Sequence, residues 1–561
     1  MKEFYQKAKL LSEDFLNNQQ QYRLGFVEAE QINPITKTLG EDYIEDTKKG
    51  ITTLLKADQK LADIFADIIK GEEFDVFTDR VYYSLTNGGR IFISGCGATG
   101  RLAIRLEASW RKRMKGTNLE NSVVSVMTGG DFALIRAVES FEDYIQLGEN
   151  QIKDFLPKEN DTLIRVTATG ETTSILGTAI GALDSNAFVY MVVCTNPSTI
   201  VDRLERANIV YNNKNCKSLY ISCGGMAVTG STRMQSTSIE QAVIACALEL
   251  SLKRICGEKE DKNKLINGFN SALNAVKSSV DSLCENTEKE YELYKKDGYV
   301  TYFADEYLLD VLADTTERAP TFSTPPFRPN KRTDLPLSPA FVKNPFYDTE
   351  TAWEKCLQRI PRCFEKDREY YVSLGLKSED VSKIPDISRS ALYDFMIGNE
   401  DDAQREKGES LAMWIDSDAP PKEFLYNSQK YKKYSSLILN TKDIVKTETM
   451  IFEHLAMKMF INILSTGVMA KMGKIYGNYM INLSISNKKL IDRATRIIAD
   501  LCNLSYENAN YELFLSSLIL KERNENLSPV KFTIDRLKRG CKKTDFPFDG
   551  ELIDSPNLGS L

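Results

Sequence analysis

The sequence predicts an α/β protein: two doubly wound parallel-sheet domains in tandem, followed by a small C-terminal helical lid. Three observations predict it. Residues 90–110, RIFISGCGATGRLAIRLEASW, read as a buried strand, a glycine-rich turn and a helix. Short β-branched runs then alternate with helical segments across short turns, the βαβαβα pattern of a parallel sheet covered on both faces. Beyond residue 264 the series starts again, which marks an internal repeat.

Taken in order, residues 1–45 are polar, are broken at Asn33-Pro34, and read as an arm packed on the body. Residues 46–69 carry Ile51, Leu54, Leu55, Leu61, Ile64 and Phe65 at helical spacing. A second helix, 74–85, leads into the opening strand. Residues 122–127 form a β-branched strand closed by Thr128-Gly129-Gly130, and 133–144 a helix carrying Glu139. Strands follow at 161–167, 188–194 and 218–223, and a long apolar helix runs through Leu252. The charged stretch 257–264 reads as a linker or exposed helix end. The second series has a helix from 265, a strand at 299–304, a helix at 308–316, strands at 391–397 and 435–439, and a long apolar helix at 452–472. Residues 324–345 are proline-rich and irregular, and 491–561 are helical. The expected division is an arm (1–45), a first domain (46–256), a second domain (265–490) and a cap (491–561).

Bulk properties narrow the function. The chain has 561 residues, 42% hydrophobic and 27% charged, which suits sizeable cores. A net charge of −7 argues against nucleic acid or an acidic membrane surface as the main partner. A small anionic ligand is compatible with it, because local donors outweigh a diffuse global charge. Eleven cysteines without CxxC spacing fit a reduced, cytoplasmic protein. The single histidine, His454, leaves no multi-histidine metal site and no histidine-based triad, and no metal or cofactor is expected. The first residues, MKEFYQKAKLLSEDF, are charged and are not read as a signal peptide. No apolar run reaches the length of about 18 residues that spans a membrane.

Two turns carry the chemistry. Gly95-Cys96-Gly97-Ala98-Thr99-Gly100 follows a strand and opens a helix, an arrangement that aims free backbone N–H groups at an anion. Ala168-Thr169-Gly170-Glu171-Thr172-Thr173-Ser174 repeats the arrangement with more hydroxyls. Each alone serves equally as an ordinary helix cap. Two in one series point to an anion site at the carboxyl edge of a parallel sheet. The corresponding turn of the second series, Ala304-Asp305-Glu306-Tyr307, has no glycine and two acids, so it would repel phosphate.

Five segments together resemble one family. They are Gly97-Ala98-Thr99-Gly100-Arg101-Leu102, Ala137-Val138-Glu139 with Glu142-Asp143, Ala168-Thr169-Gly170, Val228 to Met234 (VTGSTRM), and Leu464-Ser465-Thr466-Gly467 through Gly473-Lys474 to Gly477-Asn478. In this order they resemble the branch of the sugar isomerase (SIS) superfamily that contains N-acetylmuramic acid 6-phosphate etherase and the glucokinase regulatory protein. A tandem pair with a helical lid looks like the regulatory protein. The etherase is a single-copy chain that dimerises, so a fused pair would form a pseudo-dimer within one chain and would not need a second copy.

The resemblance implies a ligand, a sugar phosphate of the hexose or N-acetylhexosamine 6-phosphate type, held by the first copy. The phosphate would rest on Gly97, Ala98, Thr99 and Gly100 and on Thr167, Ala168, Thr169, Gly170 and Thr172. Ser109 would belong to the same sugar-phosphate-binding set, Glu139 would bond sugar hydroxyls, and Lys489 would reach the ligand from the other half. A protein partner such as a sugar kinase would follow from likeness to the regulatory protein.

Departures from the etherase favour a binding protein over an enzyme. Nine residues after the turn glycine the etherase has a catalytic glutamate, and here that position is Ser109, as it is in the regulatory protein. Glu107 is no substitute, because two residues turn a helix by about 200°. Eliminating a lactyl ether needs a base and an acid, and the first copy keeps only Glu139. Against this, Asp314 to Phe322 (DTTERAPTF) resembles the etherase's glutamate–proline segment, which makes Glu317 a second catalytic candidate beside Glu139. An etherase-like lyase of amino-sugar recycling is therefore the alternative. A sugar-phosphate isomerase, with Glu139 as its base, is a third.

Overall fold

The computed structural model describes residues 2–138, 141–376, 381–382, 384–485, 487–525 and 527–538. Strands β1 (Ile91–Gly95), β2 (Val123–Met127), β3 (Thr162–Thr167), β4 (Phe188–Val193) and β5 (Cys216–Tyr220) form one parallel sheet, ordered β2-β1-β3-β4-β5. Strands β6 (Tyr299–Phe303), β7 (Ala340–Lys343), β8 (Ser410–Asp416) and β9 (Lys433–Ile438) form a second, ordered β7-β6-β8-β9. The second order repeats the first four positions of the first sheet, so the tandem repeat is visible in the topology itself. Strands β1, β2 and β3 are buried at every residue. That follows from helices on both faces, and it explains why these strands read as continuous apolar runs.

Two long helices, Gln235–Ile255 and Ile451–Lys471, lie at the centre and are buried along almost their whole length. Asp261 caps the helix Lys262–Ser278 after the charged linker by accepting from the Lys264 amide.

The segments that carry the family resemblance meet one another across the two halves. The Thr229 amide donates to the Asn478 carbonyl at 2.8 Å, and Arg233 donates to Ser465 Oγ and Thr466 Oγ1 at 2.9 Å each. Arg233 also pairs with Asp314 at 2.5 Å, so its charge is spent within the protein. Lys474 donates to the Phe322 carbonyl, a structural contact.

The cap consists of helices Lys488–Cys502, Tyr506–Glu522 and Pro529–Lys538. The N-terminal arm is sewn to it. Helix Lys2–Asn18 packs Ala8 and Phe15 on Phe514 and Leu515, and Ser12 Oγ donates to Asn510 Oδ1 at 2.7 Å. Glu30 is buried between Arg493 and Arg496. Burial opposes its charge, and the two guanidinium groups outweigh it and hold the carboxyl far below the usual carboxylate range.

Three sequence expectations need correction. Residues 391–397 do not form a strand, because helix Arg389–Tyr393 occupies their start, with Ser388 accepting from the Ala391 amide as its cap. A short apolar run cannot distinguish helix from strand. The irregular stretch 324–345 contains β7, an edge strand of only four residues. The helix expected at 133–144 is a single turn, Phe132–Ile135, and Glu139 lies outside the described residues.

Candidate functional site between β1 and β3

The first sheet runs outward in both directions from β1: the chain passes from β1 to β2 on one side and to β3 on the other. Such a reversal opens a crevice at the carboxyl ends of the two diverging strands. In the register of β1 on β3, Ser94 lies opposite Arg165. The turn after β1 and the turn after β3 are therefore neighbours on one edge.

In the first turn Gly97 has φ +57°, ψ −126°, a conformation that suits glycine. It precedes helix Ala98–Met114, whose first residues are Ala98, Thr99 and Gly100. Thr99 Oγ1 accepts from the Cys96 amide at 3.1 Å and donates to the Cys96 carbonyl at 2.9 Å, which fixes the bend. Gly100 is packed closely, since a Cβ there would stand 2.8 Å from the Gly95 carbonyl oxygen.

The second turn is a buried nest of hydroxyls. Thr167, Ala168, Thr169, Gly170 and Thr172 are all buried. Thr167 Oγ1 lies 3.1 Å from Thr172 Oγ1 and 3.4 Å from Thr169 Oγ1, and it accepts from the Gly170 amide at 3.3 Å. Gly170 has φ +76°. Helix Thr173–Asp184 follows, and its Ser174 amide donates to the Glu142 carbonyl, which ties the 141–144 segment over the helix start.

Lys489 comes to this segment from the first turn of the cap. Asn487 caps that helix, and Lys489 Nζ contacts Glu142 Oε1 at 2.7 Å. Burial disfavours its charge, but Glu142 first and Glu171 after it prevail, and the ammonium is held above the ordinary lysine value. Asp143 is shifted upward by burial and by Glu142. The cap thus delivers a half-buried cation beside the second turn.

The two halves supply another carboxylate. Glu317, on helix Leu308–Phe322 of the second half, ion-pairs with the buried Arg101 of the first. Its Oε1 lies 3.9 Å from where a Gly97 Cβ would stand. Arg101 also donates to the Ala133 carbonyl at 2.7 Å and the Leu134 carbonyl at 3.2 Å. A cavity between the halves is lined by Ala98, Arg101, Arg233, Glu317, Lys458 and Asn462, among others. Ser109 lies elsewhere, in a separate cavity with Trp110, Leu248 and His454. His454 Nδ1 faces Asp310 Oδ2 at 2.8 Å, and burial, then Arg105, keep the imidazole below its usual pKa. Glu107 faces away from both, accepting from Ser125 and pairing with Arg359 and Arg362.

The structure thus brings together Gly97, Ala98, Thr99 and Gly100 with Thr167, Ala168, Thr169, Gly170 and Thr172 along one edge, adds Lys489 at the second turn and Glu317 at the first, and puts Ser109 in another cavity. Sequence reasoning missed Glu142, the partner of Lys489, and Arg101, the partner of Glu317. Each lies within a motif already singled out, and the missing signal was the opposite charge contributed by a distant segment.

Residues 77–183 match the family model described as the glucokinase regulatory protein N-terminal SIS domain, and residues 477–535 match the C-terminal lid domain of glucokinase regulatory protein. N-acetylmuramic acid 6-phosphate etherase of Aliivibrio fischeri (strain MJ11) is 31% identical over 198 residues, covering 35% of this chain and 61% of the relative. The etherase of Clostridium acetobutylicum is 28% identical over 233 residues, covering 41% and 71%. The chain thus spans 61% of the length of the first relatives it matches. Among solved structures, tagatose-6-phosphate ketose/aldose isomerase from Escherichia coli is 10% identical, with 79% of this chain and 97% of that chain covered at a TM-score of 0.40. No helix among the described residues is long and apolar enough to cross a membrane. Residues 77–183 are thus similar to the N-terminal SIS domain of glucokinase regulatory protein, and residues 477–535 are similar to its C-terminal lid domain.

Proposed function

We propose that the chain binds a sugar phosphate, of the hexose or N-acetylhexosamine 6-phosphate type, and uses its occupancy to regulate a protein partner such as a sugar kinase. The observation that carries this reading is the register of β1 on β3, which sets the two glycine- and threonine-lined turns side by side. Thr167, Thr169 and Thr172 offer hydroxyl donors, and Lys489 offers the charge. A phosphate dianion would compete with Glu142 for Lys489 through a charge-assisted hydrogen bond. A ligand touching both the first sheet and the cap favours the arrangement in which the two are docked. That link gives occupancy a way to reach the surface.

A thermal-shift series with hexose 6-phosphates, N-acetylmuramic acid 6-phosphate and the same sugars without phosphate tests the reading. A ligand at 100 times its Kd stabilises by about 2.7 kcal/mol. The phosphorylated sugars are expected to raise Tm and the parent sugars to leave it unchanged. Equal response to both members of each pair would reject the site.

One observation favours a second reading, an etherase-like lyase. Glu317 places a second-half carboxylate at the first-half glycine turn. Turnover of N-acetylmuramic acid 6-phosphate that disappears in Glu317→Gln would establish the lyase; binding without turnover leaves the regulatory reading.

A further inference from the structure

Resting on the phosphate site proposed above, we infer that Arg165 is its buried counter-charge and a positioning residue for the turn that would hold the phosphate. Arg165 lies on β3 two residues before the turn, and its side chain is wholly buried. No carboxylate among the described residues stands within ion-pair distance of it. Nη1 donates to the Gly170 carbonyl at 3.1 Å and contacts Met191 Sδ at 3.6 Å; Nη2 donates to the Thr172 carbonyl at 3.4 Å; Nε has no hydrogen-bond partner. Burial disfavours its charge; the Tyr211 hydroxyl, which also hydrogen-bonds it, and Glu171, which forms no ion pair with it, favour the charge, and a guanidinium so placed is costly unless a further charge compensates it.

The geometry states what these contacts do. No described peptide bond is cis, and in a trans peptide the C=O and the following N–H point in opposite directions. Drawing the Gly170 and Thr172 carbonyls onto Arg165 therefore turns the Glu171 and Thr173 amides away from the sheet interior. Two more donors work from the same side. Tyr211 Oη donates to the Gly170 carbonyl at 3.1 Å, and Thr195 Oγ1 donates to the Ala168 carbonyl at 3.0 Å, which turns the Thr169 amide likewise. Alternate carbonyls of the turn are clamped from behind, so alternate amides face the anion position. The positive φ of Gly170 permits this alternation.

Arg165 thus acts on the ligand in two ways. Through the backbone it aims amides at the phosphate. Through space it places a full positive charge behind the turn, in a buried setting where screening is weak. The field favours a doubly charged phosphate monoester over a singly charged one and over a neutral sugar.

Calorimetric titration of the full chain with glucose 6-phosphate, N-acetylmuramic acid 6-phosphate and inorganic phosphate tests this, from about pH 5 to 7.5, across the second ionisation of a phosphate monoester near 6. Wild type is expected to tighten as the ester becomes a dianion. Arg165→Met is expected to bind at least about tenfold more weakly at the upper pH, the scale of one charge-assisted hydrogen bond, and to lose most of the pH dependence. Arg165→Lys keeps the charge without the two-pronged clamp, so it is expected to restore the pH profile but only part of the affinity. A folded Arg165→Met that binds within twofold of wild type, or binds more weakly with an unaltered pH profile, would overturn the role. If that variant does not fold, Tyr211→Phe removes one clamp from the Gly170 carbonyl and is expected to weaken binding by about threefold; wild-type affinity in it would overturn the clamp. Wild type that binds none of the three probes removes the site itself, whereas wild-type binding with an indifferent Arg165→Met removes only Arg165.

Discussion

Arg101 of the first half and Glu317 of the second form an ion pair between the two halves, beside the glycine turn at Gly97. Both are largely buried, and Arg101 has only backbone carbonyls as its other partners. Removing Glu317 strands a cation. Glu317→Ala is expected to destabilise the chain by about 3 kcal/mol, measured by urea unfolding, and the double variant with Arg101→Met to recover part of that loss. A single variant as stable as wild type would show that the pair contributes nothing.

Lys489 gives the inter-half contact a test that does not depend on catalysis. Lys489→Met removes the Glu142 partner and the charge offered to a phosphate. Affinity for a hexose 6-phosphate should fall by at least about tenfold, read by calorimetry, while affinity for the parent sugar stays unchanged. Unaltered affinity for the phosphorylated ligand would detach the cap from the site.

The two turn glycines should respond differently to alanine. Both have positive φ, which costs an L-residue about 1–2 kcal/mol. At Gly97 the added methyl meets little, its nearest neighbour being Glu317 Oε1 at 3.9 Å. At Gly170 it would stand 2.1 Å from Ile200 Cδ1 and 2.9 Å from Tyr211 Oη. Gly97→Ala should therefore lower Tm slightly, and Gly170→Ala much more, by differential scanning calorimetry. Equal losses would mean that the second turn yields where the structure holds it tight.

Glu240 predicts a pH dependence. It is buried in helix Gln235–Ile255 and, among the described residues, its one hydrogen bond is from Cys194 Sγ, at 3.6 Å; burial outweighs that bond and the Lys458 charge and pushes its carboxyl up to about 8. Folded chains therefore keep a proton that unfolded chains have released, from pH 4.5, its ordinary value, up to about 8. Stability from this group is complete below that window and is lost as pH rises through it, by a few kcal/mol. Urea midpoints should fall across the window in wild type and stay flatter in Glu240→Gln. Parallel curves would assign the trend to other groups.

The cap should loosen without its anchor on the arm. Glu30→Gln withdraws the charge that holds Arg493 and Arg496. Hydrogen exchange is expected to speed up through Lys488–Cys502 and to leave β1, β3 and β4 unchanged. Uniform acceleration would make the arm and cap part of one cooperative unit.

Much of the fold was legible because its signals are local. Strands β1 to β4 of the first sheet carry β-branched residues, and their turns carry glycine where φ is positive, as at Gly97 and Gly170. Strand β7 and helix Arg389–Tyr393 were not legible. Each is too short for its periodicity to exceed that of its neighbours, and Ser388 decides the second by capping rather than by pattern.

By itself the sequence determined the tandem α/β architecture, the two glycine- and threonine-lined turns and the lack of glycine in the corresponding second-half turn, since each depends on residues adjacent in the chain. Only the tertiary structure decided which charges meet. Lys489 reaches Glu142 across 347 positions, Glu317 reaches Arg101 across 216, and Arg165 lies beneath the turn it clamps. Those pairings depend on how helices pack over the sheet edges, and burial then selects partners by charge, because an unpaired ion in that interior would cost more than the fold can offset.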